Sequence, residues 1–562
     1  MNNFIEKFKN VLFTRCKKSG RITGIKWGST ITKILFPLIG IIAIIWFIVR
    51  VVPKPSRIAY PCQQVASSIG FTYLLYLATF FSSLPIFVWI KKHTHKSVAY
   101  LFILVLGGGA FIATSIAINN EEKPVLSKFI PNEGANAPIG VGRGLFPGRV
   151  VWVRDTTATT WDGKTGNWWD DNNTKQPIVS TMFSDMIQAY TGKTNDMEAW
   201  KALFKSYNKS HRRGNKAYKK GEKIVIKINA NHDKTSYKWD NEAHTSPAVV
   251  YAVVSQLIDV VGVSGEDIII AEPSQLIGDP IYDKIRSNPN PEYKKIRFAD
   301  RVIKPNAQRF FPEPDTTSGV YFTIPPKNQI VRFYVPKCYT EATYLINLAI
   351  LRGHRVFGVT MGAKNHFGSL YCLSMKKYGP GVPGSNLANR PSKNPILHNF
   401  SLWDYEHSNV TGEQHCFPTI MAHKDLGGKE LIQVLDAIYP TKLNENGVIR
   451  WRSLDNHWCS SMFISQDPVA IESVGLDVMS NEPNLTTGNP SFTPHLDNGY
   501  HEAALANNPP SGFKYDPENN GQFIRKSLGV HEHWNNPIER KYTGNSVKGK
   551  GIELVYLNRN KK

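Results

Sequence analysis

The stretch "EKIVIKINAN", Glu222 to Asn231, is followed by "SPAVVYAVVSQLIDVVGV", Ser246 to Val263, and then by "EDIIIAEPS", Glu266 to Ser274. Two short β-branched runs flank a longer apolar run, which Ser246 can cap and Pro247 can open as a helix. A strand, a helix and a strand at this spacing imply parallel pairing through a right-handed crossover. This unit constrains the chain more than any other feature. It requires an α/β fold with a mostly parallel sheet, and it places functional groups at the carboxyl ends of the strands. Those ends carry Asn229, Asn231, His232 and Asp233 after the first strand and Glu272 after the second.

Further elements extend the pattern. "RVVWVRD", Arg149 to Asp155, reads as an earlier strand, and helices are expected near Ile178 to Thr191 and Met197 to Tyr207. Tyr344 to Ala349 supplies another strand, and "KELIQVLDAIYPT" contains an apolar run ending near Asp436. "SQDPVAIESVGLDVMS" has a helix start, with Asp467 as cap and Pro468 in the first turn. Asn119 to Gly148 is rich in Pro, Gly and Asn and reads as a linker or extended arm. The tryptophans of "TTATTWDGKTGNWWDDNNT" suit the cover of a core edge better than a stacking site for a ligand.

The densest polar chemistry follows the Tyr344 strand. "GVTMGAKNHFGS", Gly358 to Ser369, sets Lys364, Asn365 and His366 between glycines that allow close backbone approach. Lys364 offers a point charge, Asn365 a donor and an acceptor, and His366 a titratable or metal-binding ring. Lys227, Asn229, Arg352 and His354 join them from adjacent strand ends. This collection suits an anion such as a phosphate or carboxylate. Lys364, His354 and Asn365 are the candidate catalytic groups; Lys227, Asn229, Arg352 and His366 are the candidate ligand-binding groups.

Four motifs in order, "IKINAN", "YLINLAILRGH" with "VFGVTMGAKNHFGSLY", "VLDAI" and "SQDPVAIESVG", resemble the family called domain of unknown function 362. The resemblance covers about residues 223–479. Three positions depart from the family pattern: Ile228 stands where the family has proline, Arg352 where it has lysine, and Glu472 where it has aspartate. Charge is kept in the last two, although arginine cannot act as a base at ordinary pH. The resemblance implies an α/β fold and a site position, and it leaves the activity open. Some members carry a ferredoxin-like cluster domain, and this chain has no such cysteine run.

A divalent metal is the second option for the site. Seven of the 16 histidines fall between His354 and His457, namely His354, His366, His398, His407, His415, His423 and His457. His232, Asp233 and Glu272 are the nearest metal candidates at the strand ends, with Asp436 and Asp467 as further oxygen donors. No HExxH or other fixed ligand spacing accompanies them. No G-x-S-x-G elbow or Walker loop is present, and "GVGRG", Gly140 to Gly144, precedes a strand instead of following one.

Charge separates the chain into unequal parts. The net charge is +22, yet residues 1–119 hold 14 Lys+Arg against one acidic residue, Glu6. Their basic residues flank three apolar runs at 34–52, 68–90 and 99–118, each near the ~20 residues that span a bilayer. The basic excess therefore reads as a signal of membrane orientation, with no basic–aromatic pattern for nucleic acid. Eight Lys and Arg residues precede the first run and Lys91, Lys92 and Lys96 follow the second, so the N-terminus is expected in the cytoplasm of a bacterium. Three crossings would place the rest in the periplasm. The expected organisation is an inner-membrane anchor at 1–119, a linker at 120–148 and a periplasmic domain at 149–562. Its partners would be the lipid bilayer and other membrane or envelope proteins. Cys338, Cys372, Cys416 and Cys459 would lie in that domain as disulfides or buried thiols; no CxxC spacing supports an iron–sulfur site. Two classes of function remain: an envelope enzyme acting on an anionic small molecule or envelope component, or a non-catalytic binding domain or subunit of a larger membrane complex.

Overall fold

The computed structural model describes residues 129–560 except 231–235, 240–243, 303–304, 325–328, 355–356, 371–411, 443–446, 488 and 490–491. Of the first 128 residues it describes 13–15, 22–25, 41–42, 44–46 and 49. The chain divides into Met1–Glu122 and Lys123–Lys562. In the first unit Phe13–Arg15 pairs antiparallel with Ile22–Ile25. Ile41, Ile42, Ile45, Trp46 and Val49 are helical with exposed side chains. The three apolar runs otherwise lie outside the described residues, as do Cys16, Cys62 and Cys372. Among the described residues no helix is long and apolar enough to cross a membrane.

The second unit opens on residues 129–148, the stretch read as a linker or extended arm. Its strand β1 (Ile139–Gly140) pairs antiparallel with Val530–His531, and Ala135 bridges His533. Strand β2 (Arg149–Arg154) follows, then α1 (Gln176–Thr191) and α2 (Asp196–Ser210). The strand–helix–strand unit is β3 (Ile224–Ile228), α3 (Pro247–Ser255) and β4 (Ile268–Glu272), with Ser246 capping α3 through Ala248 N. Helix α4 (Asp279–Arg286) leads to the short strands β5 (Arg297–Asp300) and β6 (Arg309–Phe310). A hairpin of β7 (Pro314–Ile324) and β8 (Gln329–Pro336) precedes β9 (Tyr344–Ile350). A small hairpin, β10 (Arg352–His354) with β11 (Gly358–Thr360), runs into the one-turn helix α5 (Gly362–Asn365). Helix α6 (Phe417–Ala422), β12 (Glu430–Ala437), β13 (Ser461–Ser465), α7 (Pro468–Ser480), α8 (Asn498–Ala504), β14 (Val530–His531) and β15 (Glu553–Asn558) complete the unit.

Nine strands form one sheet in the order β15-β2-β13-β12-β9-β3-β4-β5-β6. The run from β12 to β6 is parallel, as the β3–α3–β4 unit requires, and β15 is parallel to β2. Strand β13 is antiparallel to both neighbours, so the sheet is mixed but mostly parallel. The central strands are buried along their whole length, because both faces are covered. On one face Ile224, Ile226, Ile228, Ile346 and Val434 pack with Met182, Phe183, Leu203, Val249 and Val253 of α1, α2 and α3. On the other, Val225, Leu345, Ala349 and Leu435 pack with Val469, Ile471 and Val474 of α7 and with Phe322 and Phe333 of the long hairpin.

The tryptophan loop closes the edge of the first of these cores. Trp161 stacks on Trp458 at 5.5 Å and Trp168 on Trp239 at 6.3 Å, and both loop residues are buried. Cys338, Cys416 and Cys459 are buried free thiols. Burial pushes the Cys338 and Cys459 thiols up to about 12, which leaves them unreactive.

A buried polar row beneath the lysine–asparagine turn

Register creates the site. Asn347 of β9 pairs with Lys227 of β3 on one side and with Gln433 of β12 on the other, so three polar side chains form a row across one face. All three are buried, Lys227 and Asn347 within strands that are otherwise apolar. Helix α5 lies over this row. A Cβ at Gly362 would stand 1.7 Å from Gln433 Nε2, and one at Gly368 would stand 2.3 Å from Glu272 Oε1. The glycines of "GVTMGAKNHFGS" thus admit side chains of the protein's own sheet.

The polar groups form a continuous chain. Lys227 Nζ donates to Glu272 Oε2 at 2.8 Å, to Asn365 Oδ1 at 2.9 Å and to the Ile228 carbonyl. Its three donors are all engaged inside the protein. Asn365 Nδ2 donates to Asn347 Oδ1 at 2.8 Å, and Asn347 Nδ2 donates to Gly362 O and to Glu430 Oε1. His366 Nε2 stands 2.8 Å from the same Glu430 oxygen. Burial pushes the Lys227 ammonium down, and Glu272 opposes that shift. An ammonium without this carboxylate could not be held at full burial.

Glu472 of α7 ties the turn to the sheet. Its Oε1 accepts from Ala363 N at 2.7 Å and from Gln433 Nε2 at 3.0 Å. Burial pushes its carboxyl up to about 7. Asp467 accepts from Val469 N and Ala470 N as the cap of α7, and also from Arg143 N and Val530 N. Asp436, pushed up to about 6 by burial, accepts from Ser246 N at the start of α3 and from Ile438 N.

The remaining candidates form a second group around Phe357. Lys364 Nζ lies over the Phe357 ring at 5.1 Å and the Phe367 ring at 4.8 Å. His354 Nδ1 accepts from Phe357 N at 3.0 Å, and Arg352 pairs with Thr360 across the small hairpin. Asn229, just past the end of β3, belongs to the first group. Its Nδ2 donates to Asn365 Oδ1 at 3.3 Å, and its Oδ1 is buried without a donor.

The metal candidates fare differently. His232 and Asp233 lie outside the described residues, and Glu272 is engaged by Lys227 and by Ser274 Oγ. Among the described residues, the histidines between His354 and His457 do not gather. His398 and His407 lie outside the described residues, and His457 is exposed. Burial pushes His415 down to about 3 and His423 down to about 4, in separate surroundings. Among the described residues, the ligand atoms that do converge belong to Asp497, His531 and His533, within 4.8 Å of one another.

Sequence reading missed Asn347, Gln433 and Glu430. Their signal was present: one asparagine in "YLINLAI" and one glutamine in "ELIQVL" interrupt strands that are otherwise apolar. Glu430 and Gln433 also form the floor of a cleft of about 410 Å³. Its walls include Gly142, Arg143, Gly144, His211, Gly428 and Lys526. This cleft opens at the amino end of β12, whereas Lys227 and Glu272 stand at the carboxyl ends of β3 and β4.

Residues 224–477 match the family described as Domain of unknown function (DUF362). The DUF362 stretch holds the whole polar row, the small hairpin, α5 and Glu472. The arm, β14 and β15 fall outside it. No curated protein matches the chain.

Proposed function

We propose that the chain is an envelope enzyme, anchored in the bacterial inner membrane by its N-terminal apolar runs, that acts on an anionic small molecule or envelope component. The observation that carries this reading is the cleft over Glu430. Arg143 and Lys526 set two cationic side chains against Glu430 in its lining, and Gly142, Gly144 and Gly428 allow a ligand close to the backbone. Glu430 at its floor is held by His366 and Asn347, so a carboxylate of fixed orientation faces the ligand. In this reading Glu430 exchanges a proton with the ligand, while His366, Asn347, Asn365 and Lys227 position it. Lys364, His354 and Arg352 lie on the Phe357 side of the turn and do not line this cleft. The exposed apolar helix of Ile41, Ile42, Ile45, Trp46 and Val49 supports the anchor.

The test is calorimetric titration of the full chain with inorganic phosphate, then with phosphorylated and carboxylated small molecules. Binding that weakens in Lys526→Ala supports the cleft, and turnover that disappears in Glu430→Gln while binding persists supports the enzyme. Absence of any anion binding would sink the proposal. A second reading, a non-catalytic binding domain or complex subunit, is favoured by the full engagement of the Lys227 donors. It predicts binding without turnover and a co-purifying envelope protein that Glu430→Gln leaves in place.

A further inference from the structure

Away from the DUF362 polar row, three segments converge on one buried point. The arm contributes Glu133, the start of α8 contributes Asp497 and His501 one turn apart, and the extended segment at β14 contributes His531 and His533. Alternation along an extended chain sends residues two apart to the same side, so both imidazoles face Asp497. Asp497, His531 and His533 are all buried.

The two rings are oriented from behind by α7. Ser473 Oγ donates its single hydrogen to Val469 O at 2.8 Å. It also stands 2.8 Å from His531 Nδ1; with the hydroxyl hydrogen on Val469 O, the ring carries its hydrogen on Nδ1 and presents a lone pair at Nε2. That Nε2 is buried without a hydrogen-bond partner. It stands 3.6 Å from Glu133 Oε2, itself without a partner, and 3.7 Å from Asp497 Oδ2. One turn along α7, Asp477 Oδ1 lies 2.6 Å from His533 Nδ1, and His533 Nε2 lies 3.1 Å from Asp497 Oδ2. Asp477 is fixed in turn by Trp534 N and the Tyr542 hydroxyl. Asn132 N and Nδ2 hold the Asp497 carboxylate.

In that tautomer the two unpartnered atoms, His531 Nε2 and Glu133 Oε2, are acceptors 3.6 Å apart, with Asp497 Oδ2 beside them. A cation resolves that arrangement. Ligand bonds of about 2.1 Å in tetrahedral geometry separate the donor atoms by about 3.4 Å, within the range of spacings here. Histidines whose Nδ1 is held by a hydroxyl or carboxylate are the usual form of metal-ligating imidazole. We propose that His531 Nε2, His533 Nε2 and Asp497 Oδ2 bind one divalent first-row metal ion, zinc by preference, with Ser473 and Asp477 orienting the two rings. Glu133 Oε2, 3.6 Å from His531 Nε2, is the nearest oxygen for the fourth position, and with it in place the ion is structural. It fastens the arm before β1 to α8, to β14 and, through the two rings, to α7.

The test uses the full chain. Elemental analysis of the purified protein gives about one equivalent of metal, and chelator removes it together with several degrees of thermal stability that zinc restores. Cobalt(II) in its place gives the visible bands of a nitrogen–oxygen site. His531→Ala and Asp497→Asn lose the metal. Ser473→Ala keeps every ligand and still weakens metal binding by about 10- to 100-fold, which separates a lost site from a lost fold. Protein that contains no metal and takes up neither zinc nor cobalt overturns the proposal. So does metal that stays at full stoichiometry in a folded His531→Ala chain.

Discussion

Replacing Glu472 with glutamine isolates the charge of one buried carboxyl. Its burial raises the carboxyl from an ordinary 4.5 to about 7. The folded state therefore holds this proton more tightly than the unfolded chain does, and stability falls as pH rises between those values. Each tenfold change in acidity is about 1.4 kcal/mol, so the ionised carboxyl costs the fold about 3 kcal/mol near pH 8 and under about 1 kcal/mol near pH 5. Glutamine keeps the Oε1 that accepts from Ala363 N and Gln433 Nε2, and its amide can donate to the Tyr500 hydroxyl that hydrogen-bonds the carboxyl. The variant is expected to match the parent within about 1 kcal/mol at the lower pH and to exceed it by about 3 kcal/mol at the higher. Denaturant unfolding of both chains across this range measures the difference. A difference that does not change with pH, or a variant less stable near pH 8, would refute the reasoning.

Three further outcomes follow from the same geometry. Lys227→Met should destabilise the fold by about 3–5 kcal/mol by stranding Glu272, and adding Glu272→Gln should recover most of that loss in a double-mutant cycle of denaturation midpoints. Asp467→Ala removes the acceptor of four backbone amides, on α7, the arm and β14, and should cost about 2 kcal/mol or more by the same measurement. Cys338, Cys416 and Cys459 should resist a thiol reagent in the native chain and react fully in denaturant, as read by peptide mass mapping.

The parallel core was legible because its signals are local. Ser246 and Asp467 cap the helices they precede, and the apolar runs at Ile224, Ile268 and Tyr344 are the strands they resemble. Strands β13 and β15 were not legible. "SMFIS" and "ELVYLN" are short, and their place in the sheet is set by partners far along the chain. The candidate turn was legible in composition but not in orientation. Nothing in "GAKNHFG" says that Asn365 and His366 face the sheet while Lys364 lies against two phenylalanines. That division depends on Asn347 and Glu430, whose register with the turn exists only once β9 and β12 have paired. Among the described residues, the histidine rings that converge sit in a His-x-His pair downstream of the His354–His457 excess.

The pairing of β15 with β2 also governs how the molecule is made. Arg149 and Glu553, which join across these strands, are 404 residues apart. During synthesis β2 emerges early and waits with both edges unpaired, because its two partners, β13 and β15, are among the last strands to be made. The arm waits as well, since its partner β14 lies only slightly nearer. Contacts of such long separation form slowly, and an open strand edge invites pairing with other chains. A chain shortened before Glu553 should therefore keep the parallel half of the sheet but expose β2 to protease. Cells that make this protein must shelter that strand until its last partner arrives.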